Sequence, residues 1–266
     1  MIDSLYIGAS GMQAQQLNVN AISNNLANMT TPAYKKDRVN FQDLMYRSGL
    51  AGAASPESGL GAGAALGMGA GVGSGVGVAA IIKLFQNGEL KKTDGPLDIA
   101  ISGKGFLEVT LPDGSSAYTR AGALQVTPEG LLANSTGFAL HPAIHIPSDA
   151  KDVLIDAAGR VTVSTPTDKN RVEVGQIELV DFVNPAGLTP LGENLFVARE
   201  EAGTPITGTP GTETFGKISQ GYLEASNVKL VDEMMSLILA QRAYEMNAKA
   251  VQAADEMLGI VNNLRR

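Results

Sequence analysis

Near its C-terminal end, the chain carries a large apolar or aromatic side chain at every seventh position. This stripe consists of Leu230, Leu237, Tyr244, Val251 and Leu258. A seven-residue repeat predicts a long helix with one apolar seam, which we expect over residues 227–264 with Ser226 or Asn227 as its N-cap. Large side chains contribute about 1.5–3 kcal/mol each only when they are covered. The predicted helix therefore needs a partner.

A second helix with a matching seam is predicted at the N-terminal end. Its seam positions, three or four residues apart, are Leu5, Gly8, Met12, Gln15, Val19, Ile22, Leu26 and Met29. We expect this helix over residues 3–28, with Asp3 or Ser4 as its N-cap. The rest of its surface has almost no charge, so it lacks the ion pairs that stabilise an isolated helix. The two terminal helices are therefore predicted to cover each other's seams.

The segment between the helices has the spacing of short antiparallel strands. Turn signals such as Pro112-Asp113-Gly114 and Ala158-Gly159 separate apolar runs, and residues 174–183 read as one longer strand. The predicted fold class is α+β, with a coiled-coil-like helical domain, a central antiparallel β-rich domain and a Gly-rich connector. The expected division is 1–45 with 220–266 for the terminal helical domain, 46–90 for the connector and 91–219 for the β domain.

Glycine dominates the predicted connector, where eleven glycines fall between positions 49 and 77. Residues 58–82 carry no charge and are numerous enough to cross a bilayer. They are mostly Gly and Ala with few large apolar side chains, and glycine adds little transfer energy and weakens a helix. We therefore expect an extended connector here and no membrane insertion.

Composition excludes several classes of function. The net charge of −7 argues against a nucleic-acid partner, which requires clustered Lys and Arg. The chain has no Cys, so it has no thiol nucleophile and no zinc–thiolate site. The first residues, Met1 to Ser4, lack the basic and apolar regions of a cleavable signal. If the protein leaves the cytoplasm, it must use a route that does not depend on a cleavable signal.

No catalytic or metal-binding pattern is present in the sequence. The two histidines, His141 and His145, lie in a β-like segment interrupted by Pro142, so they do not share a helical face as a metal pair would. We expect no catalytic residue, no metal and no cofactor. Carboxylate pairs for sugar hydrolysis depend on the fold, so a cell-wall-active or carbohydrate-binding β domain with oligomerising helices stays open.

Three groups of motifs are spread over the two ends and the middle of the chain. The N-terminal group is Asn24-Asn25-Leu26-Ala27-Asn28, Thr31 and Tyr34-Lys35. The C-terminal group is Gln220-Gly221-Tyr222-Leu223-Glu224, Ser226-Asn227-Val228, Glu233-Met234, Gln241-Arg242-Ala243-Tyr244-Glu245, Asn247 and Lys249. The central group is Leu97-Asp98-Ile99-Ala100-Ile101, Gly103, Gly105-Phe106, Pro112-Asp113-Gly114, Ala117-Tyr118-Thr119-Arg120 and Leu191-Gly192-Glu193-Asn194-Leu195-Phe196. Together these groups resemble the flagellar rod and hook proteins, an axial protein family, and the central group is similar to that of distal rod proteins.

The resemblance implies a structural subunit of the bacterial flagellar basal body rather than an enzyme. It implies a homopolymer, a hollow helical distal rod that crosses the periplasm and transmits torque. The partners it implies are the proximal rod proteins, the hook protein, the P and L rings and the flagellar type III export apparatus, with no signal cleaved. Another axial protein, of the proximal rod or hook, is the alternative.

The residues expected at subunit contacts come from the two seams and the terminal motifs. They are Leu5, Met12, Val19, Ile22, Asn24, Asn25, Leu26, Asn28, Leu230, Leu237, Gln241, Arg242, Tyr244, Glu245, Asn247, Val251 and Leu258. The asparagines either fix register between subunits or simply end the first helix. Gln241, Arg242 and Glu245 either pair across subunits or form a solvated face.

One position departs from the family pattern. Glycine usually precedes the aromatic residue of the N-terminal signature, but here the residue is Ala33, which follows Pro32. Because alanine resists positive φ, we expect a different backbone conformation at this turn.

Overall fold

The computed structural model describes residues 2–44, 46–47, 72–165, 171–212 and 214–264. The chain divides into two compact units. The first unit consists of Met1–Asn24, Asp37–Ile82 and Val231–Arg266. The second consists of Asn25–Lys36 and Lys83–Leu230. Both predicted terminal helices are present, and the segment between them is an antiparallel β-rich region.

The N-terminal helix, α1, spans Ile2–Ala27. Asp3 and Ser4 lie inside its first turn, so the predicted N-cap at either residue is wrong. Asp3 still suits this position, because a carboxylate near a helix N-terminus interacts favourably with the helix dipole. At the other end, the Asn28 side chain accepts a hydrogen bond from the Thr31 hydroxyl at 3.2 Å. Asn28 therefore shapes the turn that follows the helix.

The C-terminal helix, α2, spans Leu230–Leu264. The predicted N-cap at Ser226 or Asn227 is wrong, because both residues precede the helix by several positions. The Asn227 side chain instead accepts a hydrogen bond from the Lys36 backbone N–H at 2.8 Å and donates one to the Leu84 carbonyl at 2.7 Å. It satisfies the backbone of other segments rather than the start of its own helix.

Four strands accompany the helices in the first unit. They are β1 (Asp37–Asp43), β2 (Tyr46–Arg47), β3 (Val72–Gly73) and β4 (Val76–Lys83). Strand β1 pairs with β4, and β2 pairs with β3. The final part of the stretch expected as a Gly-rich connector therefore runs back along residues 37–47. Residues 48–71, which carry most of its glycines, lie outside the described residues.

The remaining strands belong to the second unit. They are β5 (Leu90–Lys92), β6 (Ile99–Ser102), β7 (Phe106–Thr110), β8 (Ser116–Thr119), β9 (Leu124–Val126), β10 (Leu132–Asn134), β11 (Leu140–His141), β12 (Asp152–Ile155), β13 (Arg160–Ser164), β14 (Val172–Gln176), β15 (Leu179–Asp181), β16 (Thr189–Gly192), β17 (Leu195–Val197), β18 (Ile206–Gly208), β19 (Lys217–Gln220) and β20 (Tyr222–Glu224). Short 3-10 helices span Pro185–Gly187 and Glu200–Ala202.

A seven-stranded sheet organises the second unit. Its order is β16-β17-β8-β7-β15-β18, and β11 also pairs with β7. Strands β12, β13 and β14 form a separate sheet, while β19 pairs with β6, β20 with β5 and β10 with β9. The pairs β19–β6 and β20–β5 attach the segment before α2 to the start of the β region.

The seven-stranded sheet is covered on both faces. Successive residues of a strand point to opposite faces. Leu107, Leu179 and Leu195 accordingly enter one apolar core, while their neighbours Phe106 and Phe196 enter a second. Aromatic rings in the second core pack edge to face. This arrangement is favourable because it places the positive edge of one ring against the negative face of another. This sheet is therefore a rigid support for the loops at its ends.

The prediction of one strand over residues 174–183 is wrong. The chain changes sheets in this stretch, because β14 pairs with β13 whereas β15 pairs with β7 and β18. Between these strands, the Ile177 backbone N–H donates to the Gly159 carbonyl at 2.7 Å, and the Ile177 side chain is buried. Residues before and after the point where the chain passes from one sheet to the other are buried. The sequence therefore shows one continuous apolar run, which resembles a single strand.

Candidate subunit interface

One face of α2 is turned into the chain's own fold. Its most buried residues, Glu233, Ala240 and Ala254, lie seven or fourteen positions apart. The seam residues Leu237, Val251 and Leu258 flank them and are half-buried. This face combines small side chains with the predicted apolar seam, a combination that permits close approach of another element.

Helix α1 approaches α2 at two glycines. A Cβ atom at Gly8 would lie 2.5 Å from Cγ2 of Val251, and one at Gly11 would lie 2.8 Å from Nδ2 of Asn247. Real Cβ atoms do not reach such distances, so neither position accepts a side chain unless its neighbour moves. Gly8 and Val251 were both predicted as seam positions, and they do meet in the first unit.

The opposite face of α2 exposes a second apolar stripe. Its residues are Met235 (59% exposed), Leu239 (67%), Met246 (70%), Met257 (50%) and Ile260 (59%). They follow one another at intervals of 4, 7, 11 and 3 residues, which keeps them on one side of a helix. Near the start of α2, Val231, Met234 and Ile238 widen this surface. We call these eight residues the outer stripe.

The expected contact residues did not include any member of the outer stripe. The same heptad argument applied to the other side of the helix would have found it, since Met235, Leu239 and Met246 repeat at the required spacing. The seam through Leu230, Leu237, Tyr244, Val251 and Leu258 was enough to predict the helix, and the contact residues on α2 were taken from that seam and from the C-terminal motif. An apolar helix with two such faces requires a partner on each side.

The structure places the expected α1 residues at different depths. Asn24 is exposed, and its Nδ2 lies 3.4 Å from Asp37 Oδ2. Ile22 and Asn25 are buried, and Asn25 Oδ1 accepts a hydrogen bond from the Tyr34 hydroxyl at 3.2 Å. The half-buried members are Leu5, Met12, Val19, Leu26 and Asn28. Asn25 is thus engaged within its own chain.

The expected α2 residues also fall into two groups. Leu237, Asn247, Val251 and Leu258 are half-buried on the inward face. The exposed members are Leu230, Gln241, Arg242, Tyr244 and Glu245. Arg242 Nη1 lies 3.6 Å from Glu245 Oε2 one turn along the same helix. These two charges therefore pair within the chain, on a solvated surface.

A buried charge cluster joins the three family motifs in the second unit. Glu224, which ends β20, receives a hydrogen bond from Lys35 Nζ at 2.7 Å on one carboxylate oxygen and from Arg120 Nε at 3.0 Å on the other. All three residues are at most 4% exposed. The Gly88 backbone N–H also donates to the carboxylate at 2.8 Å. Lys35, Arg120 and Glu224 thus bring together segments from both ends of the chain and from its middle.

The remaining donors of the cluster are satisfied by backbone oxygens and by the Asn87 side chain, whose Oδ1 accepts a hydrogen bond from Arg120 Nη2 at 2.8 Å. Lys35 Nζ donates to the Gln86 carbonyl at 2.7 Å, and Arg120 Nη1 donates to the Gly105 carbonyl at 2.6 Å. Burial is expensive for a charge unless it is paired and hydrogen-bonded, and these three meet both conditions. The cluster therefore holds these segments in a specific mutual arrangement.

Opposing effects set the pKa values in this cluster. Burial raises the pKa of the Glu224 carboxyl, but the attraction of Arg120 and Lys35 outweighs it and holds that pKa below its usual value. Burial lowers the pKa of the Lys35 ammonium, an effect that attraction to Glu224 opposes. The fold thus favours ionised Glu224 at neutral pH.

The role of this cluster was not predicted from the sequence, although its members were visible in the motifs. Lys35 follows Tyr34, Arg120 follows an apolar strand, and Glu224 ends another strand. A charged residue at the end of a strand is usually solvated, so position alone did not mark these as partners. Only the fold brings them together.

Ala33 adopts the conformation that its side chain was expected to prevent. Its φ is 60°, in the left-handed region, so the prediction of a different backbone at this turn is wrong. Its backbone N–H donates to the Glu224 carbonyl at 2.8 Å, and the residue as a whole is 2% exposed. Neighbouring contacts hold the strained conformation.

The described residues contain little that suggests chemistry. His141 is exposed, and its Nδ1 lies 3.7 Å from Glu108 Oε2. Within the described parts of the chain, no three His, Asp or Glu residues are grouped closely enough to hold a metal ion. Neither α1 nor α2 carries an apolar run sufficient to cross a membrane.

Comparison with known families matches both ends and the middle of the chain. Residues 5–35 match the family model described as "Flagella basal body rod protein". Residues 100–163 match "Flagellar hook protein FlgE/F/G D1 domain", and residues 219–264 match "Flagellar basal body rod FlgEFG protein C-terminal". These matches, together with the two terminal helices around a β region, define a flagellar axial structural protein.

Full-length relatives narrow the class further. The flagellar basal-body rod protein FlgG of Borreliella burgdorferi is 42% identical, with both chains covered completely. That of Caulobacter vibrioides is 42% identical over 99% of this chain and all of its own. The chain belongs to the flagellar basal-body rod protein FlgG family, whose members are structural rather than enzymatic. A solved Helicobacter pylori hook protein, FlgE2, gives a TM-score of 0.24 at 14% identity, covering 56% of this chain and 44% of its own, too low to support an argument.

Proposed function

We propose that this rod subunit polymerises through its terminal helices into the hollow distal rod, which transmits torque to the hook. The observation that carries the proposal is the outer stripe of α2, whose members are 48–70% exposed. An apolar surface of this extent on a single helix face usually marks a protein contact. Coverage by neighbouring subunits would bury it.

The geometry of α2 suits an open polymer. Its inward face meets α1 at Val251, while its outer face is free for the helices of another subunit. Contacts between different surfaces of identical subunits continue indefinitely unless rotation closes a ring. Coiled-coil-like packing of the helices would then form the wall of the tube. The exposed expected residues Leu230, Tyr244 and Asn24 lie at positions available to such neighbours.

The remaining parts of the proposal concern partners and placement. The proximal rod proteins and the hook protein are proposed to contact the two ends of the polymer, and the P and L rings its outside. The subunit is proposed to reach the periplasm through the flagellar type III apparatus without a cleaved signal. Residues 46–90 are proposed to link the helical domain, 1–45 with 220–266, to the β domain, 91–219.

Electron microscopy of basal bodies tests the proposal. Cells that lack this gene would be complemented with the wild-type chain, with Leu239→Lys or with the matched control Gln252→Lys, which places the same charge at an exposed polar position of α2. We expect complete rods with the wild type and the control, and truncated rods without hooks with Leu239→Lys. A charge in a desolvated helix contact is costly. Complete rods from Leu239→Lys would contradict polymerisation through the outer stripe.

A further inference from the structure

The segment between β4 and β5 contains the one Asn-Gly dipeptide of the chain, Asn87-Gly88. In such a pair, the backbone nitrogen of glycine can attack the side-chain amide carbon of asparagine, because glycine has no side chain to obstruct the approach. A bond forms between Gly88 N and Asn87 Cγ, the bond from Cγ to Nδ2 breaks, and ammonia leaves with the proton of the Gly88 N–H. Water then opens the resulting succinimide to an aspartyl or an isoaspartyl product. The dipeptide therefore carries both reacting groups of a self-modification that consumes only water.

The fold requires glycine at position 88. A Cβ atom there would overlap the Ala225 carbonyl oxygen and would lie 3.3 Å from Cγ of Glu224. The Ala225 backbone N–H also donates to the Glu89 carbonyl at 2.8 Å, which keeps the two segments in contact. The preceding residue, Asn87, is exposed to water. A reactive dipeptide is thus retained at the surface because close packing beside β20 requires its glycine.

The nucleophile of this reaction is bound by the buried charge cluster. The Gly88 backbone N–H donates to Glu224 Oε1 at 2.8 Å, and a hydrogen bond to an ionised carboxylate is a strong one. Because the succinimide carries no proton on this nitrogen, the hydrogen bond must be lost before the product can form. The fold therefore stabilises the unreacted dipeptide relative to the succinimide.

Glu224 is a poor acceptor for the departing proton. Its two carboxylate oxygens receive hydrogen bonds from Lys35 Nζ at 2.7 Å and from Arg120 Nε at 3.0 Å. Protonation of Glu224 would leave both buried cations without a counter-charge, which is costly. Although burial raises the pKa of the Glu224 carboxyl, attraction to the two cations holds that pKa below its usual value. The carboxylate thus holds the Gly88 proton in place without removing it.

The electrophile is restrained by the same cluster. Asn87 Oδ1 accepts a hydrogen bond from Arg120 Nη2 at 2.8 Å. Arg120 is itself anchored, because its Nη1 donates to the Gly103 carbonyl at 2.9 Å and to the Gly105 carbonyl at 2.6 Å. Both reacting groups are therefore restrained, whereas attack requires an aligned approach of about 3–3.5 Å. Donation by Arg120 also polarises the amide carbonyl, but polarisation has no effect while the nucleophile keeps its proton.

We propose that Asn87-Gly88 is a latent modification site, which forms a succinimide in the unfolded chain and is kept unreacted in the folded chain by the buried charge cluster. The isoaspartyl product adds one carbon to the backbone, and Gly88 has no space beside Ala225 to absorb that displacement. A chain modified before folding therefore does not restore the hydrogen bond from Gly88 to Glu224. The proposal concerns the chemistry of a single subunit and does not depend on polymerisation.

Mass spectrometry of one tryptic peptide tests the proposal. Cleavage after Lys83 and Lys91 releases residues 84–91, in which Asn87 is the single asparagine. The full chain would be incubated at mildly alkaline pH, either folded or in concentrated urea, and conversion of the amide to a carboxylate would be followed over time. We expect conversion at Asn87 to be at least about ten-fold slower in the folded chain, since a protected amide reacts through the open fraction of the protein. Equal rates in the folded and unfolded chain would overturn the proposal.

A second Asn-Gly dipeptide provides an internal control. Asp113→Asn creates one in the exposed turn between β7 and β8, where a Cβ at Gly114 would meet nothing within 4 Å. The Gly114 N–H donates to a neutral backbone oxygen, that of Leu111, at 2.9 Å. In the folded variant, position 113 should convert at least about five-fold faster than Asn87, because a hydrogen bond to a neutral oxygen is the weaker restraint. In urea the two positions should convert at similar rates. Conversion at position 113 that is no faster than at Asn87 in the folded variant would contradict protection by the cluster.

Glu224→Gln connects the protection to the charge of the cluster. This substitution, introduced together with Asp113→Asn, leaves only a neutral acceptor for the Gly88 N–H. In chains that circular dichroism shows to be folded, conversion at Asn87 should become at least about ten-fold faster, while position 113 should keep its rate. An unchanged rate at Asn87, or an equal acceleration at both positions, would overturn the proposal. If the Glu224→Gln chain does not fold, the comparison of Asn87 with position 113 within one folded chain decides alone.

Discussion

The Lys35 ammonium lies 2.7 Å from a carboxylate oxygen of Glu224, although the two residues are 189 positions apart and neither side chain is exposed. Lys35 precedes the strands of the second unit, and Glu224 ends the last of them, β20. Separation of these segments would leave at least one buried charge without its partner, a state that costs several kcal/mol. The ends of the β region are therefore held together by electrostatics as well as by the strand pairs.

Removal of the negative charge at Glu224 should destabilise the second unit strongly. Glu224→Gln preserves the size of the side chain but leaves Lys35 and Arg120 buried without a counter-charge. We expect a loss of about 3–5 kcal/mol in the free energy of unfolding, measured by urea denaturation. The reason is the cost of the unpaired cations, not a large net gain from the original pair.

An exposed ion pair supplies the control for this substitution. Arg160 and Asp156 are 3.0 Å apart and about half exposed. Asp156→Asn should therefore change the free energy of unfolding far less than Glu224→Gln does, because solvent screens an exposed pair. Equal effects of Asp156→Asn and Glu224→Gln would show that burial of the charge cluster does not contribute to stability.

The Glu224 carboxylate should also make stability depend on acid pH. Its pKa in the folded chain is lower than in the unfolded chain, where the ordinary value is 4.5. The unfolded state therefore binds the proton more readily, and the contribution of Glu224 is complete above pH 4.5 and is lost as pH falls through the folded pKa. Urea denaturation between pH 7 and pH 3 should show the stabilities of wild type and Glu224→Gln converging at acid pH. A constant difference would contradict this linkage.

The parts of the fold that follow from local physics were predictable from the sequence. Heptad spacing located both helices to within a few residues, and Pro112-Asp113-Gly114 does separate β7 from β8. There the Asp113 side chain accepts a hydrogen bond from the Ser115 backbone N–H at 3.0 Å, which is ordinary turn chemistry. Signals of this kind depend on neighbouring residues alone.

Features that depend on distant residues were not predictable. Asn227 resembles an N-cap, yet its amide binds the backbone at Lys36 and Leu84. Ala33 resembles a residue that avoids positive φ, yet its N–H is held by the Glu224 carbonyl. In both cases a tertiary hydrogen bond overrides the local preference. The same applies to the buried charge cluster, whose members come from three separate motifs.

Relief of backbone strain should stabilise the second unit at Glu193. This exposed residue has φ of 53°, which costs an L-amino acid about 1–2 kcal/mol, whereas glycine adopts it freely. The greater freedom of glycine in the unfolded chain offsets about 0.4–1 kcal/mol of that gain. We expect Glu193→Gly to raise the free energy of unfolding by roughly 0.5–1 kcal/mol, measured by urea denaturation.

Glu201 provides the matched control for this substitution. It is exposed in a 3-10 helix and is not among the residues with positive φ. Glu201→Gly should therefore lower stability by roughly 0.5–1 kcal/mol, because only the entropic cost of glycine remains. A decrease for both variants would show that the Glu193 backbone is not strained.

Gly8 in α1 and Gly259 in α2 should respond in opposite directions to the same substitution. A Cβ at Gly8 would lie 2.5 Å from Val251 Cγ2, whereas one at Gly259 in α2 meets nothing within 4 Å. Gly259→Ala should gain about 0.5–1 kcal/mol from helix propensity, and Gly8→Ala should lose about 1–2 kcal/mol because overpacking outweighs that gain. Thermal unfolding followed by circular dichroism at 222 nm, a wavelength that reports helix, distinguishes the two. If Gly8→Ala also raised Tm, α1 would not pack against α2 at Val251, and the inward face of α2 would need another partner.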